Sequence, residues 1–189
     1  MTASIMIVGV GGQGSLLASK LLGAVLMGEG YDVKVSEVHG MSQRGGSVVT
    51  YFRYGDKVYS PIVTEGEADY ILAFEKAEAA RWIKNLKKGG KIIVNTQEID
   101  PMPVIIGSAV YPSAALEELK DKGADLDAFD ALALAKTAGS AKSVNVVLIA
   151  KFAKLTDIPK EKWLNALKET VAPKFYEMNA TAFELGYAE

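Results

Sequence analysis

"ASIMIVGVGGQGSLLASKLLGAVLMGEG", residues 3–30, decides the fold. Residues 3–10 form an apolar run of strand length, and the glycine-rich 11–14 break it. From Ser15 onward Leu16, Leu17, Leu21, Leu22, Val25 and Leu26 recur at helical spacing, which predicts an amphipathic helix that stops at Gly28 or Gly30. Gly9-Val10-Gly11-Gly12-Gln13-Gly14 spells G-x-G-x-x-G directly after a strand and opening a helix, the context that a dinucleotide-binding turn requires. Glycines permit the tight turn there, and the helix N-terminus offers free amides and a positive dipole to an anion. The same glycines also let a helix pack closely on a sheet, so the turn alone leaves binding and packing both open.

Downstream, "YDVKVSEV" (31–38) is a second strand, and Glu37 ends it where a Rossmann domain places its ribose-binding carboxylate. The strand runs straight into "HGMSQRGG" (39–46), a loop that would crowd a ribose bound at Glu37. "SVVTYFRYGDKVYSPIV" (47–63) then alternates and turns at Tyr54-Gly55-Asp56-Lys57, which predicts an antiparallel hairpin where a Rossmann domain has a crossover helix. A buried strand (68–74), a helix (75–90) and a strand (91–96) follow, then a short strand between the prolines of 98–114 and a helical end at 116–125. Beyond the strand-like "DLDAFD" (125–130) the C-terminal third reads as helical, punctuated by Gly139, Pro159 and Pro173. The expected class is α/β: a Rossmann-like mixed, mainly parallel sheet flanked by helices, with an antiparallel hairpin, in a single domain over 1–189.

Composition narrows the chemistry. Hydrophobic residues make up 49% of the 189 and charged residues 23%, the balance of an ordinary globular protein. A net charge of −2 provides no positive field for nucleic acid or an anionic membrane. The apolar run at the start is too short to span a bilayer and lacks the features of a secretory signal, so a cytoplasmic location is expected. Zero cysteines exclude disulfides, thiolate zinc sites, cysteine nucleophiles and ordinary iron–sulfur clusters, and one histidine excludes a His-rich metal site. Any redox metal belongs to another chain, and no metal is expected on this one.

The loop holds the chain's single histidine, His39, with Gly40, Met41, Ser42, Gln43, Arg44, Gly45 and Gly46. His39 and Arg44 suit a proton carrier and an anion clamp. No cysteine stands beside His39, and neither Ser36 nor Ser42 sits in a nucleophile elbow, so no catalytic set is expected on this chain alone. Contact is the more natural role: small residues admit a close backbone, while Gln43 and Arg44 can hydrogen-bond a partner or a phosphate. Asn145, in an otherwise apolar helix, reads either as a ligand contact or as a buried amide serving the local backbone, the plainer alternative.

Together "GVGGQG" (9–14), "EVHGMSQRGG" (37–46) and "DALALAKTAGSAKSVNVVLIA" (130–150) resemble the gamma-type subunits and domains of the 2-oxoacid:ferredoxin oxidoreductases over nearly the whole chain. The spelling with His39 and Met41 is most similar to the beta subunit of the indolepyruvate branch. The resemblance implies a complex that decarboxylates a 2-oxoacid on thiamine diphosphate, passes electrons through iron–sulfur clusters to ferredoxin and releases a CoA thioester. It also implies a companion subunit that carries the thiamine site and clusters, with no cofactor held by this chain alone. On this reading Gly11, Gly12, Gln13 and Gly14, with Glu37, His39 to Gly46 and Asn145, wall an active site built mainly by the companion. A stand-alone nicotinamide- or flavin-binding oxidoreductase, and a gamma subunit for pyruvate or 2-oxoglutarate, are the alternatives.

Overall fold

The structure is a computed structural model that describes residues 2–39 and 46–189, with His39 entering through its backbone alone. Six strands form one sheet: β1 (Thr2–Val10), β2 (Asp32–His39), β3 (Ser47–Gly55), β4 (Ala68–Ala73), β5 (Leu86–Asn95) and β6 (Asp125–Phe129), in the order β2-β3-β1-β4-β5-β6. β1, β4, β5 and β6 pair in parallel, while β3 runs antiparallel to both β1 and β2. Five strands therefore point one way and β3 the other, the mixed, mainly parallel sheet expected. Ile5, Met6, Ile7 and Val8 of β1 are wholly buried, the continuous apolar run of a strand covered on both faces.

One face carries α1 (Ser15–Gly28), α5 (Ala131–Thr137), α6 (Val144–Ala153), α7 (Lys160–Thr170) and α8 (Tyr176–Ala188). Leu21, Leu22, Val25 and Leu26 of α1 pack there on Ile5, Ile7 and Phe52. Apart from Asn145 and Lys151, α6 is apolar on all sides because it lies between the sheet and α8, and nearly all of it is buried. The other face is thinner: α2 (Lys76–Trp82) and α4 (Ala115–Asp121) cover Met6, Val8, Ile71, Ala73, Ile92 and Val94. α1 ends at Gly28, the first of its two candidate glycines, and Gly30, with φ +87, closes the turn beyond the cap: the Gly30 and Tyr31 N–H groups bond back to the Met27 and Leu26 carbonyls at 3.0 and 3.1 Å.

Three expectations need correction. The antiparallel hairpin is β2–β3, joined through 40–46, and residues 56–64 form no strand. Both edges of β3 are already taken, by β1 and β2, so a strand after Gly55 would have nothing to pair with. Instead Val58 and Val63 are buried, and the Val58 N–H is held by Asp32 at 2.9 Å. The helix expected over 75–90 stops at Trp82, and after a 3₁₀ turn (Ile83–Asn85) the chain is already in β5. Ala68 pairs with Leu86 but Tyr70 with Lys91, so "KKGG" (87–90) is taken up as a bulge in the ladder. The strand expected between the prolines is a single helical turn, α3 (Met102–Ile105), since Pro101 and Pro103 remove donors a ladder would need.

Tyr54 on β3 lies edge-on to Tyr31, with ring centroids 5.3 Å apart. Burial pushes its phenol up to about 12, and the Tyr70, Tyr31 and Asp69 side chains add to the shift. The unfolded chain releases this proton near pH 10 and the folded chain near pH 12, so the contribution is complete below pH 10 and is lost as pH rises through about 12. Thermal melts across that interval are expected to fall less steeply for Tyr54→Phe. Parallel curves for the variant and the unaltered chain would refute this assignment.

Candidate functional site

The C-terminal ends of β1, β4 and β5 lie together where the connections diverge, from β1 toward β2 on one side and from β4 toward β5 on the other. In open α/β sheets such an end is where ligands gather. The glycine turn and α1's first residues lie here. Gly9 admits no side chain, because a Cβ would come within 2.9 Å of both Gln13 Oε1 and the Phe74 Cβ. Gly14 has φ +86, and a Cβ there would meet Asn145 Nδ2 at 2.5 Å.

Gln13 spans the gap between β1 and β4. Its Oε1 accepts from the Val10 N–H at 2.8 Å, and its Nε2 donates to the Phe74 carbonyl at 2.9 Å and to Gln97 Oε1 at 3.3 Å. Asn95, fully buried at the end of β5, donates to the same two acceptors at 3.0 and 3.3 Å and accepts from the Leu132 N–H at 3.3 Å. Two amides thus tie the ends of three strands and the start of α5 into one network. The crevice between β1 and β4 is crossed by the chain's own hydrogen bonds.

Asn145, 2% exposed, donates to the Gly14 carbonyl at 3.1 Å, and its Oδ1 accepts from the Val146 N–H at 2.8 Å. It is the buried amide serving backbone, and it clamps α1's first turn to α6. Glu37 lies on β2, with β3 between it and β1, so the two-strand offset is about 10 Å. Its carboxylate accepts from the Thr50 hydroxyl at 3.1 Å, a cross-strand pair rather than a group facing the glycine turn.

The two motifs are nonetheless brought together, because the Gly11 N–H donates to the Gly46 carbonyl at 2.9 Å. Ser47, the next residue, donates its hydroxyl to Glu78, and the Trp82 indole and Arg81 donate to the same carboxylate at 3.3 and 3.0 Å. The exit of the loop is therefore fixed between the glycine turn and α2. Gly40, Met41, Ser42, Gln43, Arg44 and Gly45 lie outside the described residues, as does the His39 side chain.

Sequence reasoning missed Asn95, Gln97, Glu75, Glu78 and Tyr111. Asn95 had a signal, a polar residue closing the buried run "KIIV" at 91–94. Glu75 had another, since an acidic group directly after a buried strand stands at the N-cap position of the next helix, where it accepts from the Glu78 N–H at 2.9 Å. Gln97 and Tyr111 had none.

A family model described as pyruvate ferredoxin/flavodoxin oxidoreductase matches residues 4–189. The chain belongs to that family. The indolepyruvate oxidoreductase subunit IorB of Thermococcus kodakarensis is 46% identical over 97% of this chain and 93% of its own. The pyruvate/ketoisovalerate oxidoreductases common subunit gamma of the same organism is 28% identical over 93% of this chain and 90% of its own. Among solved structures, the 2-oxoglutarate:ferredoxin oxidoreductase of Magnetococcus marinus shares the fold at a TM-score of 0.75 and 18% identity, over 99% of this chain and 30% of that one. The family fold thus occurs both as a chain of this length and as a third of a longer chain.

The Magnetococcus marinus structure holds 2-oxoglutarate, coenzyme A and succinyl-CoA. The cysteine thiolates that a cluster needs are not in this chain. Among the described residues no three His, Cys, Asp or Glu side chains converge as metal ligands do. No helix among them is long and apolar enough to cross a membrane.

Proposed function

We propose that this chain is the non-cluster-bearing subunit of an indolepyruvate, or closely related arylpyruvate, ferredoxin oxidoreductase. Its companion carries thiamine diphosphate and the clusters, CoA takes the acyl group, and ferredoxin takes the electrons. The observation that carries the reading is near full-length identity of 46% to the indolepyruvate subunit, against 28% to the pyruvate/ketoisovalerate one. Supporting it, the side chains Gln13, Asn95 and Asn145 at the strand ends hold backbone, which suits a wall rather than a reaction centre. The Gly11–Gly46 hydrogen bond seats the exit of the loop beside the glycine turn, and on this reading the loop supplies the contact surface, with Arg44 as its anion or partner contact. The expected cytoplasmic location and single-domain organisation belong to this same proposal.

Mixing the chain with a thiamine- and cluster-bearing companion is expected to give indolepyruvate-dependent reduction of ferredoxin, with pyruvate and 2-oxoglutarate far slower. Arg44→Ala is expected to lower that activity by roughly 10- to 100-fold, the worth of one charge-assisted hydrogen bond. Unchanged activity in the variant would remove Arg44 from the site. Failure of the unaltered mixture, or micromolar binding of NAD(H), NADP(H) or a flavin to the isolated chain, would instead favour the stand-alone oxidoreductase.

A further inference from the structure

Between β5 and α4 the chain makes an excursion over 96–114 that places Met102, Ile105, Ile106 and Val110 in solvent, between 64% and 92% exposed. Large apolar side chains crowded this closely at the surface mark contact sites more often than chance exposure. The excursion is also held in shape. Glu75, 1% exposed at the end of β4, accepts at Oε1 from the Ile99 N–H at 3.1 Å and from the Tyr111 hydroxyl. The Ala77 N–H donates in turn to the Tyr111 hydroxyl at 3.2 Å. Both ends of the excursion are thus fastened to one buried carboxylate. Inside it, the Ser108 and Ala109 N–H groups fold back on the Pro103 carbonyl at 2.9 and 3.0 Å. A buried carboxylate, a phenol and a local turn fix the shape of a segment that exposes its apolar side chains, which is preorganisation for binding.

Glu98, at the start of the excursion, is paired with Lys76 at 2.7 Å, and the unpaired charges from residue 99 to 119 are of one sign. Residues 99–119 contain Asp100, Glu117 and Glu118, all exposed, and neither lysine nor arginine. Among the described residues none of the three has a basic partner in an ion pair. We propose that 96–114 is a docking face, and that its occupant is the companion subunit of the function proposed above, presenting an apolar pocket rimmed by lysine or arginine. A second copy of this chain is a poor fit, because a two-fold contact would set the same three carboxylates against one another. An anionic membrane surface is repelled by the same rim.

The inference rests on the subunit reading, so both are tested in one titration of the companion into the unaltered chain and into Ile105→Ser/Ile106→Ser. The variant is expected to pair about 100-fold more weakly or worse, as loss of buried apolar anchors does, with a melting temperature close to that of the unaltered chain. Tyr111→Phe keeps every apolar side chain but loses the donor to Glu75. It is expected to weaken pairing roughly 5- to 10-fold and to speed hydrogen exchange at the Ile99 amide, which a purely apolar effect leaves unchanged. Equal affinity for the double variant and the unaltered chain overturns the docking face while leaving the subunit reading intact. Absence of pairing by the unaltered chain overturns the subunit reading itself. Sedimentation of the isolated chain as a dimer that the double variant dissociates makes a second copy the occupant, and also overturns the proposal.

Discussion

A Gly14→Ala protein is expected to melt about 10 °C below the unaltered chain. Gly14 caps α1 with φ +86, a conformation that costs a residue with a Cβ about 1–2 kcal/mol. The added methyl would also lie 2.5 Å from Asn145 Nδ2. That amide must swing away and give up its 3.1 Å bond to the Gly14 carbonyl, leaving buried polar groups unmatched at about 1–3 kcal/mol. The sum is roughly 2–5 kcal/mol, and each 1 kcal/mol moves the midpoint by roughly 2–4 °C for a chain of this size. A second substitution isolates the collision. Asn145→Ala in the Gly14→Ala background removes the group that the methyl strikes, so the double variant is expected to be no less stable than Gly14→Ala alone. Strict additivity of the two single losses in calorimetry would show that the residues are not coupled.

Gln13→Ala is expected to cost about 2–4 kcal/mol in urea unfolding, with the slope unchanged. A surface glutamine would cost within about 0.5 kcal/mol. The difference arises because the Val10 N–H loses its 2.8 Å acceptor inside the turn. The Phe74 carbonyl and Gln97 Oε1 fare better, each keeping the Asn95 donor. Gln13→Glu is expected to be worse than the alanine variant, since its second oxygen would face those two acceptors with nothing to donate. A midpoint for Gln13→Ala equal to that of the unaltered chain would mean that the amide network is ornamental.

Much of the fold was legible because it is periodic. The first strand, the glycine turn and α1 follow from an apolar run and a helical stripe, both local properties. The hairpin was misplaced because Tyr54-Gly55-Asp56-Lys57 signals the end of a strand but not which edge stays free. That depends on β1 pairing with β3 in a register that sets Thr2 opposite Gly55 and Val10 opposite Ser47, a long-range choice. Likewise "LKKGG" (86–90) has the composition of a helix end, and only its neighbour β4 turns it into a bulged strand.

The site divides in the same way. Gly9, Gly11 and Gly14 were legible as backbone positions, but the direction of the Gln13 side chain was not, because a glutamine beside a helix start reads as a ligand contact or as a plug with equal ease. Asn145 reads in the sequence as a ligand contact or as an amide serving local backbone, and its partner, Gly14, lies far upstream, where no local pattern points. Gln97 and Tyr111 sit in an irregular connection, where no period announces which residues fold back.

The reversed strand has one more effect. Parallel neighbours must be joined by a crossover that carries the chain back along the sheet, usually as a helix laid over one face. Because β3 runs against β2, the chain needs only a short reversal at the end where β2 stops, the same end that holds the glycine turn. The turn and the reversal are therefore stapled side by side at a single rim, through Gly11 and Gly46. In a sheet wound wholly in parallel the chain would have left that rim along a crossover after β2, and Ser47 would have begun β3 at the opposite rim instead of beside the glycine turn.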